Sequence, residues 1–230
     1  MHIRSIFGFS LLALLLVGCV RFYSWNQRLT LFVNTPDGPM TASSVTHVDI
    51  TDYPYGLPAA TNSSESTLTG EAIVMLLPNG QYLFVLLPGK TIALNVFSDP
   101  SRRSPHHYRY AEKQVGKEPV IIPKQYKKKM VTFTDMNDPL SALAVTPENF
   151  TEVFGAGYTF ERLTLQITND KVTSTGVVSV FGPDFFRLGF ELSKARGFAR
   201  DKTPAEILAL FLSKNKFIES NWTTNIVTFN

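Results

Sequence analysis

One thiol and four imidazoles have the widest chemical range of any side chains in this chain: Cys19, and His2, His47, His106 and His107. A thiolate can take up a lipid, attack a carbon centre or ligate zinc, and an imidazole can move a proton near neutral pH or bind a metal. Spacing restricts these uses. With Cys19 assigned, no second thiol remains for a disulfide, a cysteine-ligated zinc or a cysteine nucleophile. His106 and His107 are adjacent, so on an extended strand they point to opposite faces, and no third ligand is placed beside them. They read as surface histidines of a basic loop, and neither a metal nor a cofactor is expected. Asp135 and Asp138 in TDMNDP open like a calcium loop but lack its later glycine and glutamate, and fit Asx turns before Pro139. GKT at 89–91 has Phe84 where a phosphate loop needs glycine, and Gly155-Ala156-Gly157 lacks the third glycine of a dinucleotide turn. A hydrolytic triad would have to use His47, His106 or His107, and nothing selects among them. No catalytic residue is nominated.

The surroundings of Cys19 are more informative. MHIR places Arg4 before an uncharged run from Ser5 to Val20, whose apolar centre is Ile6 to Val17. A positive start, an apolar stretch and small residues at its end are the organisation of a secretory leader. The run is about 24 Å long as a helix, short of the roughly 30 Å of a bilayer core, so a spanning helix would be strained. Leu16-Val17-Gly18-Cys19 resembles the lipobox of bacterial lipoproteins. That resemblance implies a leader of residues 1–18 removed before Cys19, lipid on the Cys19 thiol, and a soluble part in the periplasm of a bacterial envelope. An uncleaved short anchor stays open as the alternative. Residues 19–28, with the aromatic and basic RFYSWNQR, read as a tether at the level of lipid headgroups.

The elements behind these residues read as α+β and β-rich: an antiparallel β-sandwich-like half at 29–135, then a smaller α+β half at 136–230. Leu29, Leu31 and Val33 alternate with polar positions, TPDGP turns at 35–39, and Ser44 to Ile50 is strand-like. Residues 53–70 have the composition of a loop. EAIVMLL and QYLFVLL around Pro78-Asn79-Gly80 read as a hairpin of strands buried on both faces, with Thr91 to Phe97 as a third strand. Thr146-Pro147-Glu148 starts a short helix that Gly155 ends, and Thr203-Pro204-Ala205-Glu206 starts another. Leu163 to Ile167, Val172 to Phe181 and Ile226 to Phe229 read as strands.

RLTLFVNTPDGPM, GEAIVMLLPNGQYLFVLL, VTFTDMNDPLSALAVTPENFTEVFG and ERLTLQITND resemble segments of uncharacterised bacterial envelope proteins that carry an amino-terminal membrane anchor. The likeness covers most of residues 28–172 and implies no activity.

Charge adds one candidate surface. Between Arg102 and Lys129 stand nine basic residues and two glutamates, a balance of +7 that leaves −4 for the rest of a chain of net +3. Arg102, Arg103, Arg109, Lys127, Lys128 and Lys129 are the candidate contacts with anionic headgroups or an acidic envelope partner. Basic charge interleaved with Tyr108, Tyr110 and Tyr126 would also fit nucleic acid, but export argues against that partner. The bland reading is a solvated connection between two strands. The expected role is binding or scaffolding by a membrane-tethered protein. The competing readings are an enzyme acting on an envelope polymer and a single-pass subunit of a larger inner-membrane complex.

Overall fold

The computed structural model describes residues 20–53, 64–97, 106–123 and 130–181, with 184, 185, 187, 188, 218 and 219. The leader, Cys19, Arg102, Arg103, Lys127, Lys128, Lys129, the helix expected after Thr203 and the strand expected at 226–229 lie outside them.

Alternation along β1 (Arg21–Thr35) sets the architecture. Tyr23, Trp25, Gln27, Leu29, Leu31 and Val33 form one inward row, each less than a tenth exposed. The strand starts at Arg21, so the segment expected as a tether is instead the first half of β1. Two large aromatics two residues apart gain more from burial, about 1.5–3 kcal/mol each, than from a headgroup layer. Pro36 and Asp37 turn the chain into β2 (Gly38–Asp52), which pairs with β1 along its whole length from Thr35↔Gly38 to Arg21↔Asp52.

β3 (Ser64–Glu71) pairs with β2 from Asp52↔Ser64 to His47↔Thr69, which corrects the expected loop at its carboxyl end. Its serines and threonines hid a strand because only Leu68 contributes a large apolar side chain to the core, while the β-branched threonines suit the pleated face. β9 (Thr159–Thr168) pairs with the other edge of β1, and the two-residue strands β6 (Val120–Ile121) and β10 (Ile218–Glu219) complete an antiparallel sheet of order β10-β3-β2-β1-β9-β6. A second antiparallel sheet has the order β4-β5-β7-β8, from β4 (Ile73–Leu76), β5 (Tyr82–Val85), β7 (Met130–Phe133) and β8 (Ala142–Val145). The fold is thus β-rich α+β. Strands from both sides of residue 135 share both sheets, so the two expected regions are interleaved rather than stacked.

The inner faces of the two sheets meet in one core, to which Leu31, Val48, Ile50, Leu68, Ile73, Leu83, Val85 and Leu165 contribute. The opposite face of the small sheet carries a second cluster, Phe84 and Phe133 with Val177, Phe181 and Phe185. Phe84 stacks on Phe181 at 5.3 Å and Phe133 meets Phe181 edge-on at 5.5 Å, contacts worth about 0.5–1.5 kcal/mol each beyond their area. Burial on both faces is why EAIVMLL and QYLFVLL are nearly continuous apolar runs.

Two expected strands are not strands. Thr91 to Phe97 holds α1 (Ile92–Val96), with Asn95 N donating to Thr91 O and Phe97 N to Ala93 O. A short apolar run has no period that separates strand from helix. Val172 to Phe181 is irregular and then a 3-10 turn at Val177–Val180. The cause is Glu71. Its carboxylate accepts from Thr175 N at 2.7 Å, Gly176 N at 3.0 Å, Thr175 Oγ1 at 3.0 Å and Ser174 Oγ at 3.0 Å, gathering amides that a strand would have spent on a ladder.

One residue, Ala72, separates β3 in the large sheet from β4 in the small one. Gly70 sits at φ +147°, and a Cβ there would lie 2.7 Å from Thr46 Cγ2. Gly70→Ala is expected to destabilise by at least about 2 kcal/mol, from strain and overlap together. Glu71→Ala, which strands several amides, is expected to lower stability by about 2 kcal/mol, read as a reduced urea midpoint at unchanged slope with Trp25 fluorescence as the probe. Thr46 Oγ1 is buried with no hydrogen-bond partner among the described residues, so Thr46→Val is expected to raise the midpoint by about 1 kcal/mol equivalent; a loss would mean that the hydroxyl is satisfied in solution.

Candidate functional site

Of the six basic residues nominated by sequence, Arg109 is the one within the described residues. It lies on α2 (His106–Glu112), which corrects the basic loop expected for His106 and His107. The helix forms because Tyr108 and Ala111, three apart, share a face and are buried at 8 % and 1 % exposure, while Arg109 on another face stays exposed. A basic connection between strands is therefore partly a docked helix.

The docking place is the end of the large sheet where β1 begins. Tyr108 stacks obliquely on Tyr23 at 5.2 Å and donates its hydroxyl to Ser64 Oγ at 3.0 Å. One turn later Glu112 Oε1 accepts from Ser24 N at 2.9 Å. That amide needs a partner because the pairing of β1 with β9 ends at Asn26↔Thr168, leaving the first residues of β1 with no strand on that side among the described residues. Beyond the helix, Lys117 O accepts from Gln166 Nε2 of β9 at 3.0 Å. The basic segment so crosses from β3 past β1 to β9.

This end gathers Arg21 and Phe22 of β1, Asp52 at the end of β2 and Tyr53 after it, and His107, Arg109 and Lys113 on or just after α2. Phe22 is 75 % exposed, the most exposed large apolar side chain among the described residues. Tyr53 donates to Glu65 Oε2 at 3.2 Å. Among the described residues no carboxylate forms an ion pair with Arg21, Arg109 or Lys113. The His107 ring lies 4.1 Å from that of Tyr108; burial lowers its pKa below 6.5, and the nearby Asp52 charge opposes the shift. Phe22 was read from the sequence only as one of the aromatics of a headgroup-level tether, and the approach of the Asp52 charge to His107 was missed, because those two residues are far apart in the chain. The spacing of Tyr108 and Ala111 was the available signal for the helix.

The other histidine with a described environment, His47, sits on the outer face of the large sheet. Its Nδ1 lies 2.6 Å from Asn26 Oδ1 and its Nε2 lies 3.0 Å from Asp49 Oδ1. Thr67 Oγ1 donates to Asp49 Oδ2 at 3.5 Å rather than reaching the ring, and Arg28 pairs with Asp170 alongside. With both ring nitrogens occupied and no hydroxyl on either, this cluster ties β1, β2 and β3 together and is not a nucleophile–base pair. Asp135 and Asp138 form Asx turns, accepting from Asn137 N and Leu140 N at 2.8 Å each. Among the described residues no three His, Cys, Asp or Glu side chains converge as a metal site, and no helix is long and apolar enough to cross a membrane. The crevice between Leu29, Thr46, Glu71 and Val85 has no room for a water.

A histidine whose folded pKa lies below its unfolded value takes up a proton first in the unfolded chain. Its neutral form therefore supports the fold above pH 6.5, and that support declines as pH falls from 6.5 to the folded pKa. His107→Gln is expected to flatten stability against pH in that window. In an NMR titration Asp52→Asn should move the His107 midpoint further down, since it removes the opposing charge; an upward move would mean that Asp52 does not act on the ring.

No family model, no curated protein and no solved structure matches this chain.

Proposed function

We propose that the protein is a lipid-anchored component of the bacterial cell envelope, with a binding or scaffolding role and its folded part on the periplasmic side. Cys19 carries the lipid, and residues 1–18 are the leader. One observation supports this reading above the others. β1 starts at Arg21, two residues after Cys19 in the sequence. Two residues of extended chain reach at most about 7 Å. The headgroup layer on each side of a bilayer is about 5–7 Å thick. A fold attached at Cys19 therefore rests on the membrane surface, with no flexible spacer between them.

The end that would face the lipid is the one crossed by α2. The most basic part of the sequence, with Arg102 and Arg103 before the helix and Lys127, Lys128 and Lys129 after β6, belongs to the same connection. Arg109, a described member of that basic segment, lies on α2, which packs against Tyr23 near the start of β1. A scaffolding role also fits a fold whose strands are long and whose backbone is stiffened by two sheets.

Intact mass spectrometry of membrane-extracted protein tests the anchor. The wild type is expected to lack residues 1–18 and to carry added acyl mass, while Cys19→Ser keeps its leader. If both keep the leader and neither is acylated, the lipoprotein reading is wrong and the start of the chain is a short membrane helix.

A further inference from the structure

The His47 ring faces two acceptors at once, Asn26 Oδ1 at 2.6 Å from Nδ1 and Asp49 Oδ1 at 3.0 Å from Nε2. The Asn26 amide is oriented independently of the ring, because its Nδ2 donates at 2.8 Å to Asp170 O, a carbonyl that only accepts. Oxygen is therefore the atom that Asn26 turns toward the ring, and an ionised Asp49 offers only acceptors on the other side. Contacts this short between nitrogen and oxygen need a hydrogen in each. A neutral imidazole has one N–H and an imidazolium has two, so only the doubly protonated ring satisfies both contacts.

The neighbouring charges agree with a cationic ring. Asp49 shares β2 with it. On β1, Asn26 is uncharged and Arg28 is paired with Asp170 of the segment after β9. On β3, Thr69 and Thr67 stand level with His47 and Asp49, and Glu65 lies further along, opposite Thr51. Lys171, next to Asp170 in the chain, is exposed. Arg28 and Asp170 offset one another, which leaves Asp49 as the charge in contact with the ring.

We propose that His47 is a proton-operated clamp on the outer face of the large sheet. With two ring protons it joins Asp170, Asn26, Asp49 and Thr67 into one chain of hydrogen bonds that runs from the segment after β9 over β1 and β2 to β3, with the 3.5 Å contact of Thr67 as its longest link. With one proton a link must open. Asn26 cannot turn without setting its oxygen against Asp170 O, whereas the Asp49 side chain is 55 % exposed and can turn to water. The Nε2 proton is thus the one lost, and the neutral ring keeps its proton on Nδ1. The ladder of β2 with β3 ends at His47↔Thr69, immediately before Gly70 and the crossing into the small sheet. Opening the clamp loosens β3 where the chain changes sheets. Because the closed form holds the extra proton, its support is present at low pH and is lost as pH rises through the range in which histidine gives up its charge. This clamp does not depend on the lipid anchor.

The test is nitrogen-15 NMR of the His47 ring in the full-length chain, solubilised in detergent, between about pH 5 and pH 8. Long-range proton–nitrogen correlations distinguish the imidazolium from each neutral tautomer. The expected result is two protonated nitrogens at the acid end and the Nδ1–H tautomer at the alkaline end. A neutral ring with its proton on Nε2, or a ring that never carries two protons in this range, overturns the clamp. Asp49→Asn supplies an amide donor to Nε2, so the neutral ring then satisfies both contacts. At a given pH the ratio of doubly to singly protonated ring is expected to fall about threefold in this variant, as the loss of an exposed ion pair gives; an unchanged ratio refutes the role of Asp49. Amide exchange reads the consequence for the sheet. Protection of the β3 amides, corrected for the intrinsic pH dependence of exchange, should fall about threefold from the acid to the alkaline end in the parent relative to His47→Gln and to Asp49→Asn. The same pH profile in all three chains means that the ring does not hold β3.

Discussion

The whole fold turns on one crossing, at which the chain passes from the large sheet to the small one between Glu71 and Ile73. A strand changes sheets only where the backbone bends sharply and the side chains at the bend take little room. Gly70 and Ala72 meet that need, and Glu71 between them turns its carboxylate outward to the amides of Thr175 and Gly176. The carboxylate does more than satisfy donors. By holding residues 174–177 against the crossing it delivers Val177, Phe181 and Phe185 to the back of the small sheet. Without that cover Phe84 and Phe133 would face water, and a four-stranded sheet would be buried on one face only. A single acidic side chain therefore connects the packing of the two layers.

This constraint explains which parts of the fold were legible in the sequence. β1, β2 and the β4–β5 hairpin carry their own signals: strict alternation, a proline–aspartate turn, and two apolar runs about Pro78-Asn79-Gly80. The short helix before Gly155 is also marked, by a proline and a glycine, although Asn149 rather than Thr146 precedes its first residue. β3 and the irregular stretch 172–176 carry no such signal, because each takes its form from a partner elsewhere. β3 is a strand because β2 offers it a ladder. Residues 172–176 are not a strand because Glu71, about a hundred residues earlier, competes for their amides. Local pattern reports local preference, and here tertiary hydrogen bonding outweighs it.

The candidate site divides along the same line. Its charge was visible, since nine basic residues in a short segment stand out against an otherwise acidic chain. Its location was not, because nothing local to Arg109 says which strand the segment lies beside. The information sits in Tyr108 and Ala111, whose burial against Tyr23 docks α2, and in the unpaired amide of Ser24 that Glu112 fills. RFYSWNQR was ambiguous for a related reason. Aromatic and basic residues suit a membrane surface and a strand equally in composition, and only the inward row of Tyr23, Trp25 and Gln27 separates the two. The same alternation that draws Tyr23 and Trp25 into the core is what leaves Phe22 outside.

The direction of β1 gives the molecule its polarity. Fifteen residues of strand extend about 46 Å at about 3.3 Å per residue, so the turn at Pro36 and Asp37 lies at the opposite end from Arg21. That far end is built from turns that hold one another: Asn79 Nδ2 donates to Phe154 O at 3.1 Å, and Gly157 lies so close to Pro36 that a Cβ would approach its Cγ to 3.0 Å. The near end has a different composition, a helix with cationic residues and a bare aromatic ring. Under the proposed lipid anchor at Cys19, a sheet long enough to separate two such ends, with two residues between that anchor and its first strand, would transmit the orientation of one end to the other. On the proposed reading such a scaffold would need no lever or linker, because the strand that begins two residues after Cys19 would itself be the spacer.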